Sequence, residues 1–90
     1  MVSFTETAKK KILEALSQPG ISESYALRLG LSGGACAGKY IIGFDQKAAD
    51  DDKYFIDGIP VIIAKKHLMY LMGKKVDYKT ENNESYFGIE

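Results

Sequence analysis

The sequence predicts a β-rich α+β domain with an N-terminal helix, antiparallel hairpins and a short second helix. Apolar residues recur at helical spacing near the N-terminus and again, briefly, after residue 65. Between residues 25 and 89, several runs alternate apolar with polar side chains, which is the period of a strand with one buried face. Glycine, asparagine and aspartate separate these runs, as expected of turns between strands.

The first element is predicted to be an amphipathic helix. Ser3, Thr5 and Glu6 offer N-cap chemistry, and the spacing Ser3-x-x-Glu6 fits a capping box, in which both side chains satisfy free N–H groups of the first turn. Proline cannot continue a helix and glycine readily takes the terminating conformation, so Pro19 and Gly20 mark its end. The expected buried face consists of Ala8, Ile12, Ala15 and Leu16.

Two predicted strands flank a glycine-rich run that contains Cys36, the only cysteine of the sequence. Residues 25–31 alternate Tyr and Leu with smaller or polar residues, and residues 40–44 alternate in the same way. Residues 32–38 between them include three glycines. We therefore expect a long-looped hairpin with the thiol at the loop tip.

The second half of the chain predicts further hairpins. Residues 45–52 contain four aspartates and no apolar period, so we expect an acidic surface loop there. Asp57-Gly58 is the clearest hairpin turn, because both residues tolerate positive φ. Pro60 cannot donate a ladder hydrogen bond, which favours an edge position for its strand.

The C-terminal part predicts one short helix and two strands. Residues 65–72 form the helix, with Gly73 as its stop, and residues 74–79 form a strand. A polar turn is expected at residues 80–85. The final strand would carry the exposed apolar side chains of Tyr86, Phe87 and Ile89, which could pair with a second chain.

Composition limits the possible partners and compartment. Twelve basic and twelve acidic residues cancel, so nucleic acid is not an expected partner. No apolar run approaches the roughly 20 residues that span a bilayer, and no secretory signal is apparent, so we expect a cytoplasmic protein without a membrane partner. We expect one domain over residues 1–90. A chain of this size buries only about 60 to 65% of its unfolded surface, so dimerisation would help it.

Two interpretations of Cys36 remain open from the residues alone. Flanking glycines let another group approach the backbone, which suits a thiol offered to a metal, a disulfide partner or another subunit. A small buried cysteine beside a hairpin end is the alternative. His67, the only histidine, is a candidate partner that would activate the thiol, although a solvent-exposed helix start is the favoured explanation.

Several motifs, taken in order, resemble one known family. These are Phe4 to Ala8, Leu27-Arg28-Leu29, Gly34 to Gly38, Tyr40 to Phe44, Phe55 to Val61, Leu68 to Gly73, and Val76-Asp77-Tyr78. Their order and spacing over residues 3–89 resemble the A-type iron–sulfur carriers, which share the HesB-like domain.

The resemblance implies a metal site at Cys36. Members of the family hold iron or a [2Fe–2S] cluster on three cysteines per chain, usually shared between subunits, and Cys36 matches the cysteine of the glycine loop. The other two form a Cys-Gly-Cys tail, which is absent from this sequence ending at Glu90. A second departure is that Lys39 alone separates Gly38 from Tyr40, where the family usually has two residues.

These departures predict a degenerate member of the family, similar to IscA-like carriers but with weak or lost binding of iron or a [2Fe–2S] cluster through Cys36. A cluster normally needs four external ligands, whereas a homodimer of this chain offers two thiolates. We expect a non-enzyme that associates with iron–sulfur assembly or recipient proteins. The alternative is a protein-interaction module that keeps the HesB-like fold without metal.

Overall fold

Two sheets and two helices make up the part of the chain that the computed structural model describes, which is residues 1–21, 23–32 and 39–90. A four-stranded sheet has the order β3-β2-β5-β4, and a three-stranded sheet has the order β1-β6-β7. This architecture confirms the predicted β-rich α+β fold class. In chain order the elements are β1 (Ser3–Phe4), α1 (Glu6–Leu16), β2 (Tyr25–Ser32), β3 (Lys39–Gln46), β4 (Asp51–Ile56), β5 (Ile59–Ala64), a 3₁₀ turn (Lys65–His67), α2 (Leu68–Leu71), β6 (Lys75–Glu81) and β7 (Glu84–Ile89).

Helix α1 is capped by Thr5, one of the three predicted capping residues, whereas the Ser3 capping box is wrong. The Thr5 hydroxyl accepts a hydrogen bond from the Ala8 N–H at 3.2 Å and donates one to Asp77 Oδ1 at 2.8 Å. Ser3 is unavailable because it pairs with Lys75 in the parallel β1–β6 ladder. The cap therefore also ties the helix to β6. On the inner face of the helix, Ala8 and Ile12 are fully buried.

The predicted hairpin around residues 33–38 is confirmed in its two strands. β2 and β3 pair antiparallel from Tyr25 opposite Gln46 to Ser32 opposite Lys39. β2 also pairs in parallel with β5 on its other edge. β2 buries residues on both of its faces, whereas its alternation predicted one buried face.

The turn between β4 and β5 is the predicted one, with Asp57 and Gly58 at φ +52° and +82°. The edge position expected from Pro60 is wrong, because β5 lies between β2 and β4. Pro60 is tolerated there since it is the second residue of β5, and the described β2 ladder begins one residue later, at Val61. Its missing N–H therefore removes no bond from that ladder.

The predicted bounds of the acidic loop, residues 45–52, are also wrong. β3 continues to Gln46 and β4 begins at Asp51, so only residues 47–50 connect them. Asp51 is 3% exposed, although the sequence pattern had placed it on the surface.

The C-terminal elements follow the prediction with adjusted boundaries. The predicted short helix consists of the 3₁₀ turn and the single turn α2, and Gly73 follows at φ +79°. The turn between β6 and β7 is tighter than expected, because Asn82 and Asn83 both adopt positive φ. No helix in the described residues is long and apolar enough to cross a bilayer.

One apolar core lies between α1 and the strands. Its buried members are Val2, Ala8, Ile12, Leu27, Leu29, Ile59, Val61, Ile63, Leu71 and Val76. This core holds β2 in place, and β2 leads directly to the run that contains Cys36.

Candidate functional site

The predicted site residue, Cys36, lies outside the described residues, within 33–38. The residues on both sides of that run, which end β2 and begin β3, are described. Ser32 and Lys39 are paired at the last step of the β2–β3 ladder. The groups that surround this end of the hairpin define the rest of the candidate site.

His67 lies beside the same end of β2. β5 runs parallel to β2 with Leu29 opposite Ile63, so the 3₁₀ turn that follows β5 arrives next to Leu31. There the Leu31 N–H donates a hydrogen bond to His67 Nδ1 at 3.3 Å. A Cβ at Gly30 would lie 3.2 Å from the same Nδ1, so the absence of a side chain at Gly30 leaves room for the ring.

This hydrogen bond restricts the chemistry of His67. A neutral imidazole has one N–H and one free lone pair, so an Nδ1 that accepts from a backbone N–H leaves the proton on Nε2. In this arrangement neither ring nitrogen offers a free lone pair to a metal or to a thiol proton. His67 is also half-buried, so the expected solvent-exposed helix start is wrong. The structure assigns it the role of supporting the end of β2.

The first residues of β3 are held from the other side by α2 and the segment after it. The Tyr40 hydroxyl donates to the Tyr70 carbonyl at 3.2 Å. The Lys74 ammonium lies 5.5 Å from the centre of the Tyr40 ring, within the range of a cation–π interaction. Lys39 and Lys74 together bring positive charge to this end of the sheet.

A second polar cluster, Arg28 with Asp45 and Asp51, lies on the outer face of β2. The Arg28 guanidinium donates through Nη1 and Nη2 to the two Asp51 carboxylate oxygens at 2.9 and 2.5 Å, and through Nε to Asp45 Oδ2 at 2.9 Å. Asp51 also accepts from the Ala48 N–H at 2.8 Å. The buried carboxylate is thus fully paired, which is the condition for keeping a charge out of water.

The cluster lowers the pKa of both carboxyl groups. The Arg28 hydrogen bonds, opposed by burial, lower the pKa of Asp51 to about 2. The Gln46 N–H, followed by Arg28, lowers the pKa of Asp45. Sequence reasoning missed this cluster, although an arginine between two buried leucines was a signal that an acidic partner lies nearby.

Within the described ranges, no group of three or more His, Cys, Asp or Glu side chains is arranged to hold a metal ion. Of the three consecutive aspartates at 50–52, the middle one is committed to Arg28.

Comparison with known proteins gives consistent matches over the whole chain. A family model described as iron-sulphur cluster biosynthesis matches residues 1–90. The iron-sulfur cluster insertion protein ErpA of Francisella tularensis subsp. novicida is 33% identical over 90 residues, which cover 98% of this chain and 77% of ErpA.

Solved structures of similar fold include Escherichia coli SufA, involved in biosynthesis of iron-sulfur clusters, with a TM-score of 0.75 and 22% identity over 99% of this chain and 83% of SufA. A structure of IscA with the [2Fe-2S] cluster has a TM-score of 0.73 and 23% identity, covering 100% of this chain and 81% of IscA. A protein from Aquifex aeolicus has a TM-score of 0.69 and 27% identity, covering 99% and 89% of the two chains.

The fold is that of the IscA and SufA structures, and the hairpin with its glycine-rich run is the part of it that carries a cysteine. The chain belongs to the iron–sulphur cluster biosynthesis family. This confirms the family to which the sequence motifs pointed.

Proposed function

We propose that residues 1–90 form a single carrier domain that holds iron or a [2Fe–2S] cluster, weakly, through Cys36. The observation that supports this most directly is family membership over all 90 residues, combined with one cysteine in the run between β2 and β3. The relative ErpA is called a cluster insertion protein, and one fold neighbour, IscA, was solved with a [2Fe-2S] cluster. The interaction-module alternative is not favoured by these matches.

The expected weakness follows from the ligand count. A [2Fe–2S] cluster is normally held by four protein thiolates or their substitutes. Two copies of these 90 residues supply two, one Cys36 each, so we propose that two copies share the cluster and that external thiols complete it. His67 is a poor substitute because its Nδ1 is occupied by the Leu31 N–H.

Positive charge at the end of the hairpin supports this function. Thiolates and a reduced cluster are anionic, and neighbouring cations stabilise the thiolate over the thiol. Lys39 follows the cysteine run directly, and Lys74 lies over the Tyr40 ring at the start of β3. Both side chains would favour the metal-binding form of Cys36.

In this proposal the protein is a carrier and not an enzyme. It acts in the cytoplasm and exchanges its cargo with assembly or recipient proteins of the iron–sulfur pathway. Weak coordination suits such exchange, because an incompletely ligated cluster leaves open positions that a recipient's thiolates can take.

Anaerobic reconstitution with ferrous iron and sulfide tests the proposal. We expect visible charge-transfer absorption and bound iron in the wild type, and loss of both in Cys36→Ala. Ser32→Ala is the matched control, because Ser32 is an exposed residue at the same end of the hairpin and should leave the absorption unchanged. Featureless spectra from both the wild type and Cys36→Ala would disprove metal binding.

A further inference from the structure

Strand β3 leaves one edge of its backbone without a strand partner among the described residues. It lies at the end of the sheet, and β2 is the neighbour on its other side. Natural proteins protect such edges with charges, proline or bulges, because free N–H and C=O groups accept a further strand. Residues 40–44 have the sequence Tyr-Ile-Ile-Gly-Phe, with no charge and no proline. The opposite edge, β4, begins with the charged residues Asp51, Asp52 and Lys53.

The residues of β3 are complementary to a second copy of the same strand. In an antiparallel pair centred on Ile42, Lys39 of each copy lies opposite Asp45 of the other. In the same register, Tyr40 lies opposite Phe44 and Ile41 lies opposite Gly43. Residues directly opposite each other point to the same face of a sheet, so each of these pairs can make side-chain contact.

The pair of Ile41 and Gly43 is complementary in shape. Ile41 is 39% exposed, so part of its apolar side chain lies in water. At Gly43, nothing lies within 4 Å of the position that a Cβ would take. A groove of about 220 Å³ opens there, lined by Arg28, Ile41, Ile42, Gly43, Phe44 and Asp45. The Ile41 side chain of a second copy would enter this space and be removed from water.

The pair of Lys39 and Asp45 is complementary in charge. Asp45 already accepts from Arg28, but its side chain remains 57% exposed and a carboxylate can accept several hydrogen bonds. Lys39 is also exposed. A symmetric pair would form this contact twice, at the two ends of an apolar centre.

We propose that a second copy of this chain adds to the sheet along β3, antiparallel and centred on Ile42. The pairing joins two four-stranded sheets into one of eight strands. The pairing goes beyond the proposed function and does not depend on it, since no metal takes part in it.

The geometry separates this interface from cluster sharing. The two Lys39 ends of a β3 pair are six residue steps apart, which is about 20 Å at the rise of a strand. In this proposal, the two chains joined along β3 are not the two chains that share one cluster through their Cys36 thiols. A shared cluster would join two β3 pairs.

Sedimentation of the metal-free protein over a range of concentrations tests the pairing. The wild type should approach twice the chain mass of 9.9 kDa. Gly43→Val fills the groove from within, so it should block the partner's Ile41 and raise the dimer dissociation constant about tenfold or more. Lys39→Glu places like charges at both ends of the pair and should also favour the monomer, without altering the core. Lys53→Glu, on the opposite edge strand β4, is the matched control and should dimerise as the wild type does.

Each outcome bears on the proposal. A monomeric wild type at high concentration, or a dimer unaffected by both β3 variants, would overturn it, and so would disruption by Lys53→Glu alone. Circular dichroism checks that Gly43→Val is folded. Lys39 is exposed, so Lys39→Glu should leave the fold of the monomer unchanged. A Gly43→Val variant that is monomeric without metal but still binds iron would leave the carrier function intact. A Cys36→Ala variant that dimerises but binds no iron would leave the β3 interface intact. The two proposals can therefore fail separately.

Discussion

The two faces of strand β2 are stabilised by different physical interactions. On the inner face, Leu27 and Leu29 are 0% and 1% exposed and pack in the apolar core. On the outer face, Arg28 binds two carboxylates and Gly30 lies under the His67 ring. Apolar burial is non-directional and depends on area, whereas the outer face depends on individual hydrogen bonds. One strand therefore supports the run that contains Cys36 through close-packed apolar burial on one face and individual polar contacts on the other.

The largest effect is expected from the inner face. Leu29→Ala should lower the free energy of unfolding by about 2 to 5 kcal/mol, because it leaves a cavity next to α1 and β5. Urea denaturation measures it. Leu31→Ala is the matched control on the same face of β2, and it should cost clearly less because Leu31 is only partly buried. If both variants lowered the free energy of unfolding equally, Leu29 would not belong to the buried core.

A smaller effect is expected from the outer face, through Asp51. Asp51→Asn should cost about 1 to 2 kcal/mol at pH 7, since Arg28 keeps Asp45 as a partner and is itself partly screened by solvent. Denaturant unfolding of Asp51→Asn beside Asp50→Asn measures this difference. Asp50 has an exposed side chain, so its variant should match the wild type.

The pH dependence of the same pair follows from the lowered pKa. The pKa of Asp51 falls from 3.8 to about 2 on folding, so the folded state favours the charged form. Its contribution is fully present above pH 4 and is lost as the pH falls through about 2. The stability difference between wild type and Asp51→Asn should therefore shrink over this window. A difference that stays constant from pH 6 to pH 2 would show that the charge of Asp51 is not its cause.

The smallest effect is expected where Gly30 meets His67. Gly30→Ala brings a Cβ within 3.2 Å of His67 Nδ1 and 3.3 Å of Ile41, so it should cost about 1 kcal/mol by crowding the ring. His67→Ala should cost a similar amount, because the Leu31 N–H loses its acceptor. Once His67→Ala has removed the ring, adding Gly30→Ala should lower the free energy of unfolding much less than Gly30→Ala does in the wild type. Strictly additive losses, measured by thermal unfolding, would exclude this contact.

The elements with strong local signals were predictable from the sequence. Asp57-Gly58 defines its turn because few residues accept positive φ, and the alternation in residues 25–31 and 40–44 defines two strands. The errors fall where distant residues decide. Ser3 resembled a cap but joins β6, and Asp51 resembled a loop residue but pairs with an arginine 23 positions earlier.

The candidate site likewise has one residue that the sequence identified and contacts that it did not. Cys36 was identifiable because it is the single cysteine in a glycine-rich run, and its part in metal binding stays a prediction. The support given by His67 and by Tyr40 depends on contacts across 36 and 30 residues, which no local pattern encodes.

The sequence by itself determined the fold class, the family motifs and the place of the thiol in the chain, because periodicity and turn chemistry are local properties of the backbone. Only the tertiary structure decided which strands lie at the centre of the sheet, which carboxylate is buried and which edge of β3 has no strand partner among the described residues. Those features arise from pairing between segments far apart in the chain, whose contacts are made only when the core has brought them together.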